Sequence, residues 1–449
     1  MTAEWVGWST WRTVTTALKP RSGPRRVSPA CATMVSAGDV SGEVPGSICV
    51  SVSGTGKTTG RFCSRDCNLM TDLLRQEISA TGTLVVKVGT RVVSRDNGTL
   101  NHERITQLAQ ELSAICETGR RVVLVSSGAV AAGMSQLGFK QRPAGLAQLQ
   151  AVAAVGQASL IEAYDRTLRE HGQHAAQVLL TGDDLNDRGR YLNVRNTLLS
   201  LLEWGVIPII NENDTVAVDE LMVTFGDNDR LAALVTNLLQ DALLVILSDV
   251  EGLYDADAPG SESRTITTVH EVNDSIMALV DDHDGGPGRG GMSSKLEAAR
   301  LVSTAGENVI IASGHKPGVL ADIVAGKQIG TLILAQGKSI SSRKRWIGLS
   351  AQTRGSIFLD DGACQALTEE GRSLLAIGIV DAEGDFGKGD VVSLRTGQGI
   401  ELARGLTNYP IDEIRMIQGL RSEAILQRLG YRSYEEVIHR DNLVILRRV

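Results

Sequence analysis

The sequence predicts an α/β fold, a mostly parallel central sheet covered by helices on both faces, three layers in all, with a small β-rich domain behind it. Three observations carry this. From Thr83 onward, short β-branched runs alternate with amphipathic segments of helical period, as βαβ units require. Polar clusters stand at the ends of several of those runs, where parallel sheets gather their ligands. After about residue 336 the alternation gives way to short strands separated by frequent turns.

In the first region the expected strands are residues 84–88, 121–125, 175–180, 206–210, 242–247, 308–312 and 331–334. Each is a short apolar run, the pattern of a strand buried on both faces. The expected helices are residues 102–117, 148–170, 193–203, 231–239 and 294–303. Together they make an α/β domain over residues 81–336. Residues 337–353 loosen into Lys-, Arg- and Ser-containing sequence and read as a linker. Beyond them, residues 356–359, 375–380, 391–394 and 400–405 read as strands of a β-rich domain spanning 354–445.

Residues 1–80 do not share this pattern. Trp5, Trp8 and Trp11 are followed by Arg-, Ser- and Pro-rich sequence without periodicity, and the basic residues of the first thirty face a lone Glu4. The segment reads as a disordered or non-native extension: a transit-like peptide without the apolar core of a secretory signal, or an over-extended frame with its true start near Met70. A helix over 71–79 is its one expected element. Ser51-Val-Ser-Gly-Thr-Gly-Lys-Thr58 imitates a phosphate-binding loop but has serine where the pattern needs glycine. Cys63 and Cys67 have no second pair or nearby histidines, so zinc is not expected, and the six cysteines fit a reducing compartment.

The chain's 449 residues suffice for two or three domains. With 42% hydrophobic and 22% charged residues it has the composition of a soluble globular protein. No apolar run reaches the ~18 residues of a membrane-spanning helix. A formal net charge of −7 argues against nucleic acid as the main partner.

Two lysines stand beside glycine turns. Thr83-Leu-Val-Val-Lys-Val-Gly-Thr90 is a β-branched run ending in Lys87 and Gly89, a buried strand entering a tight turn. In Gly288-Arg-Gly-Gly-Met-Ser-Ser-Lys295, Gly288, Gly290 and Gly291 let backbone N–H groups approach an anion, and Lys295 falls in the first turns of the next helix. One such lysine is ordinary. Two could grip both ends of a transferring phosphoryl group. Ser126-Ser-Gly-Ala129 follows a strand and reads either as a structural turn or as a carboxylate contact. Asn211-Glu-Asn-Asp214 also follows a strand and carries more polar groups than a turn needs, which suits an ammonium-bearing substrate. In Gly226-Asp-Asn-Asp229, Asp227 or Asn228 could simply cap the next helix. Near two lysines, however, one carboxylate can order the ammonium groups while the others hold substrate. Ser248 and Asp249 follow a strand and read either as a nucleoside contact or as an exposed strand end. No Ser/His/Asp or Cys/His spacing stands out among the seven histidines. Phosphoryl transfer to a carboxylate needs no general base, because a side-chain carboxyl of pKa ~4.3 is already ionised at neutral pH. What it needs is positive charge and N–H groups.

With these residues placed, the chain resembles the glutamate 5-kinases, of the amino-acid kinase fold with a C-terminal domain of the PUA type, from about Thr83 to Ile445. The clusters at Asn211–Asp214, Gly226–Asp229 and Gly290–Lys295 carry the resemblance. Ala153-Ala-Val-Gly-Gln157, Ser313-Gly-His-Lys-Pro-Gly318, Phe386-Gly-Lys-Gly-Asp390 and Ile400-Glu-Leu-Ala-Arg-Gly405 extend it. It implies ATP-dependent phosphorylation of the L-glutamate side chain, the first step of proline synthesis, with ATP and Mg²⁺ as cofactors and no metal site of the protein's own. Lys87 and Lys295 would stabilise the moving phosphoryl group, and Asp229 would organise them. Ser127, Asp214 and Asn228 would hold glutamate, with Asp227 nearby. ATP would contact Lys87, Ser248, Asp249, Arg289, Gly290, Gly291, Met292, Ser293, Ser294 and Lys295. The resemblance further implies feedback inhibition by proline, delivery of the product to glutamate-5-semialdehyde dehydrogenase, a homo-oligomer and a cytoplasmic location. Residues 1–80 have no counterpart in the family.

Within the same fold, acetylglutamate kinase, aspartokinase and uridylate kinase are the alternatives, and the β-rich tail with the Gly226–Asp229 turn favours glutamate. RNA binding through the tail is a second reading. Arg415, Arg421, Arg428, Arg432 and Arg440 are interleaved there with Asp412, Glu413, Glu423, Glu435 and Glu436, not the basic stripe that RNA requires.

Overall fold

A computed structural model describes residues 74–95, 98–216, 227–255, 264–281, 290–336, 341–431 and 434–446. The glycine-lysine sequence at 51–58, Cys31, Cys49, Cys63, Cys67, Gly226, Gly288 and Arg289 lie outside the described residues.

Residues 74–79 form helix α1. β1 (Thr83–Val88) follows, then the short α2 (Thr90–Val93), α3 (His102–Glu117), β2 (Arg121–Ser126), α4 (Ala129–Leu137) and α5 (Leu146–Glu170). Next come β3 (Ala175–Leu180), α6 (Gly182–Asn186), α7 (Arg188–Glu203), β4 (Ile207–Glu212), α8 (Asp227–Leu238), β5 (Ala242–Ser248), β6 (Thr268–Val269) and α9 (Asp274–Asp281). The region ends with α10 (Gly290–Thr304), β7 (Val309–Ser313), α11 (Val319–Val324) and β8 (Thr331–Ile333). Its eight-stranded sheet runs β3-β4-β2-β1-β5-β7-β8-β6 and is parallel except between β7 and β8.

Alternation along the central strands sorts side chains onto two cores. Leu84, Val86 and Val88 of β1 join a cluster with residues of α3, α5 and α11. Val85 points to the other face, where Tyr191, Leu198 and Leu202 of α7, Leu231–Leu238 of α8 and Leu296–Val302 of α10 pack. Lys87 has the parity of Val85. The sequence therefore sends its side chain toward α8 and α10, the helices that carry Asp229 and Lys295.

The C-terminal region holds β9 (Gly355–Leu359), α13 (Asp361–Thr368), β10 (Ile379–Gly384), β11 (Val391–Thr396), β12 (Glu401–Leu406), α14 (Ile411–Ile417), α15 (Ser422–Leu429) and β13 (Leu443–Ile445). Its sheet runs β10-β9-β11-β12-β13, with only β9 and β11 parallel.

Three expectations need correction. First, the α/β domain begins before residue 81, because the helix expected over 71–79 is present at 74–79 as α1 and is part of the fold. Arg75 is buried, its Nη1 donating to Ile329 O at 2.7 Å and its Nη2 to Thr267 O at 2.7 Å, and Ile78 lies in the core. Second, the described part of 337–353 is no loose linker. Helix α12 (Ser342–Arg345) runs into a π-helical turn, Trp346–Ser350, and every residue of that turn is buried. Trp346, Ile347 and Ala351 share a core cluster with α8 and with Val391 and Val444 of the C-terminal region. Third, residues 375–378 do not form a strand; 376–378 make a 3₁₀ turn and the strand is β10. Helices α2, α4, α6, α9, α11, α12, α13, α14 and α15 and strands β6 and β13 go beyond the elements expected from the sequence.

Candidate active site

Asp229, in the first turn of α8, is the hub. Its Oδ1 lies 2.6 Å from Lys87 Nζ and its Oδ2 lies 3.1 Å from Lys295 Nζ. Ser294 Oγ donates to the same Oδ2 at 3.1 Å, and Lys295 Nζ also donates to Gly291 O at 2.7 Å. The three charged residues are 6%, 1% and 8% exposed for Lys87, Asp229 and Lys295, so bulk water screens little of their interaction. Burial would push the Asp229 carboxyl up, but the ammonium groups of Lys87 and Lys295 hold it below its ordinary value. Burial lowers Lys295, Asp229 opposes this, and the like charge of Lys87 adds to it. Two cations on one anion leave a surplus positive charge at the carboxyl ends of β1 and β5.

Beside this hub lies a polar group from three elements. Asn228 Nδ2 donates to Ser127 Oγ at 2.9 Å and to Asn211 Oδ1 at 3.2 Å. Ser127 sits between β2 and α4, where Gly128 turns the chain at φ 108°, a left-handed conformation that favours glycine. Helix α4 can stand so close to α5 because Gly156 has no Cβ; one built there would lie 1.8 Å from Ala129 O. This gives the Ala153–Gln157 sequence a packing reason. Asn211 and Glu212 end β4 rather than following it, and both are buried. Asp214 is buried too, and burial pushes its carboxyl up to about 6, with the charge of Arg142 pulling the other way. Asp227 opens α8.

On the third side, Ser248 ends β5 and its Oγ donates to Asp249 Oδ1 at 3.0 Å. Arg91 Nη1 lies 2.6 Å from Asp249 Oδ2. Burial would raise the Asp249 carboxyl, but the hydrogen bonds from Arg91 and Ser248 hold it low. Gly290, Gly291, Met292, Ser293 and Ser294 form the first turns of α10. The structure thus brings Lys87, Asp229, Lys295 and Ser294 into direct contact, joins Asn228 to Ser127, and sets Ser248 and Asp249 at the end of the neighbouring strand.

Sequence reasoning missed Arg91 and Arg142. Arg91 had one usable signal, since it lies two residues beyond the glycine of a strand-to-turn junction. Arg142 had none.

Residues 82–313 match the amino acid kinase family and residues 355–429 the PUA domain. The chain is 51% identical over 371 residues to the glutamate 5-kinase of Rhodopirellula baltica, covering 83% of this chain and 95% of that protein. It is 46% identical over 366 residues to the glutamate 5-kinase of a Thermoanaerobacter species, covering 81% and 98%. Against the glutamate 5-kinase of Pseudomonas syringae pv. tomato it is 44% identical over 374 residues, covering 83% and 100%.

Proposed function

The chain belongs to the amino acid kinase family and, within it, to the glutamate 5-kinases, and from that premise we propose the following roles for its residues in moving the γ-phosphoryl group of ATP to the side-chain carboxylate of L-glutamate. The observation that carries the reading is that both lysines converge on a single buried carboxylate, Asp229.

A carboxylate oxygen of glutamate forms the new bond to Pγ while the bond from Pγ to the β–γ bridging oxygen breaks and ADP departs. The nucleophile is already ionised, so no proton has to move. The obstacle is electrostatic: an anion must approach a polyanion, and charge must spread over the transferring group. Lys87 and Lys295 meet that charge from two helix-and-strand supports in a dry site, where preorganised cations are most effective. Asp229 fixes the direction of both amines and keeps them from repelling one another. Ser127, Asn228 and Asp214 hold glutamate, Asp214 as carboxylate toward the substrate ammonium group. Ser248, Asp249 and the first turn of α10 hold the nucleotide.

Among the described residues no group of three or more His, Cys, Asp or Glu is arranged to cage a metal ion. Asp229 and Asp249 are moreover already engaged by Lys87, Lys295, Arg91 and Ser248. Mg²⁺ therefore belongs with the nucleotide's phosphates, as it commonly does in kinases, and none of the roles above depends on it. Proline as feedback inhibitor, a dehydrogenase that takes the acyl phosphate, a homo-oligomeric state and a cytoplasmic location complete the proposal. No helix of the described residues is long and apolar enough to cross a membrane.

The test measures ADP formed from ATP with glutamate, N-acetylglutamate, aspartate or UMP, and traps acyl phosphate with hydroxylamine as a check on the product. Hydroxamate should form with glutamate. Activity with one of the other acceptors alone would overturn the assignment.

A further inference from the structure

The C-terminal region meets α6 and α7 across a cleft of ≈ 560 Å³. Its walls include Asp183, Asp187 and Arg188 on one side and Trp346, Arg354 and Asp390 on the other. The volume lies within the range of small-molecule sites, about 300–1,000 Å³.

One corner is built around a cation. The Arg188 guanidinium lies 5.5 Å from the Tyr191 ring centre and 5.1 Å from that of Trp346, and the two rings are 6.5 Å apart. Such stacking fixes the plane of the guanidinium. Yet the corner's polar atoms are unanswered. Arg188 Nη1, Trp346 Nε1 and Tyr191 Oη are all buried and have no hydrogen-bond partner among the described residues. Buried donors are normally paired, and leaving one bare is costly. Burial lowers the Arg188 pKa, Tyr191 opposes this, and the like charges of Arg343 and Arg195 add to it. The corner has one guanidinium and two ring donors, with no carbonyl or carboxylate oxygen among the described residues bonded to any of them.

The rest of the lining mixes three carboxylates, Asp183, Asp187 and Asp390, with two more guanidiniums, Arg190 and Arg354. Asp187 Oδ1 accepts from Arg190 N at 2.9 Å as the N-cap of α7, and Asp390 Oδ2 accepts from Gly387 N at 2.8 Å. Both carboxylates stand on the cleft wall beside Asp183. Arg190, also on the wall, is committed to Asp184 at 3.0 Å. A plain anion would meet these carboxylates, and a plain cation would leave the Arg188–Trp346 corner bare.

We propose that this cleft binds a small zwitterion of the α-amino acid class, with its acid group against Arg188 and Trp346 and its ammonium group against the aspartates. The three orphaned atoms are closed to solvent, so seating the acid group requires the Arg188 side chain to tilt toward the cleft.

The test is calorimetric titration of the full chain with a panel of α-amino acids, glutamate being held at saturation so that the substrate site is filled. Acetate and methylamine, which each supply one charge alone, serve as comparisons. At least one amino acid should bind, and acetate and methylamine should not. Arg188→Gln removes the cation, and Asp187→Asn removes the acid while keeping a capping oxygen. Each should weaken binding by about tenfold or more, as loss of a charge-assisted hydrogen bond does. Trp346→Phe keeps the ring, loses the N–H, and should weaken binding severalfold; it decides the matter if Arg188→Gln does not fold. No heat across the panel would overturn the proposal. So would affinity unchanged in the folded variants, acetate binding as tightly as the amino acid, or binding lost in Lys295→Ala but kept in Arg188→Gln. The design rests on the proposed glutamate site only through that saturation, and the comparison of Lys295→Ala with Arg188→Gln separates binding there from binding in the cleft.

Discussion

Lys87, Asp229 and Lys295 at the strand ends, and Arg345 with Glu307 at the junction of the two regions, are both sets of charges buried in the same protein. They differ in what is left over. Arg345 is fully buried; it forms an ion pair with Glu307 through Nη2, and its Nη1 donates to Leu239 O at 2.6 Å. Glu307 Oε2 in turn accepts from Ala242 N at 3.3 Å. The charges cancel and the polar atoms point inward to backbone, so the pair serves only to fasten α12 to the sheet. At Asp229 two cations share one anion. The surplus positive charge has no partner within the cluster and suits an anionic ligand. A closed charge balance marks a structural pair, and an open one marks a site.

The largest effect that can break this contrast is on stability. Arg345→Ala would leave Glu307 buried and uncompensated, so it should destabilise the protein by about 3–5 kcal/mol, read by denaturant unfolding. Turnover of the folded fraction should be unchanged. If instead turnover fell without loss of stability, the junction pair would belong to catalysis and the contrast would fail. Next in size, Lys87→Ala or Lys295→Ala should lower kcat by about 10²–10³-fold. The KM for glutamate should stay within a few-fold of the unaltered protein. A change in KM alone would remove the lysine from the transition state.

Much of the site was legible because the sheet is regular. Period-two alternation in Leu84–Val88 fixes the face of Lys87, and helix α3 (His102–Glu117) and strand β3 (Ala175–Leu180) begin and end where their patterns do. What escaped had weak or misleading local signals. Helix α4 is rich in Ala and Gly and leaves Leu137 exposed, so it carries no clear stripe. The Lys/Arg run at 343–345 looks solvated, but Glu307 draws Arg345 inside, and no local pattern shows a partner that distant in sequence. β10 is an edge strand with Asp381 and Glu383 exposed, too polar to read as sheet, whereas buried Leu374 and Ala376 nearby imitate one. Arg91 and Arg142 act on Asp249 and Asp214 across the fold, and only three dimensions reveal that.

Asp214 sharpens the contrast further, since it is a buried acid whose ionised form the fold disfavours. Its carboxyl is raised from 3.8 to about 6, with burial as the main cause. Folding therefore loses nothing from it below about pH 4, the unfolded value, and the penalty grows as pH rises through about 6. Asp214→Asn should accordingly stabilise the protein at pH 7, by up to about 3 kcal/mol, and leave it unchanged near pH 4. The same substitution should raise the KM for glutamate, and in the unaltered protein that KM should rise as pH falls below about 6. Thermal unfolding and kinetics across pH 4–8 check both. Equal stability of the two proteins at pH 7 would mean that Asp214 is already compensated and holds no substrate charge in reserve.

The smallest effects concern the start of the fold, where a buried guanidinium fastens structure through backbone carbonyls. Arg75 donates to three carbonyls, Ile329 O, Thr267 O and Gly330 O. Arg75→Ala leaves those acceptors short of a donor and should cost roughly 1–3 kcal/mol with kcat retained. Removing residues 1–69 touches none of these bonds, so a chain begun at Met70 should match the full chain in melting temperature and turnover, whereas one begun at residue 81 should lose at least what Arg75→Ala loses. If the chain begun at 81 were as stable as the one begun at 70, the three carbonyl contacts would be energetically idle. Burial of a guanidinium against backbone carbonyls would then no longer be enough to identify a fastening.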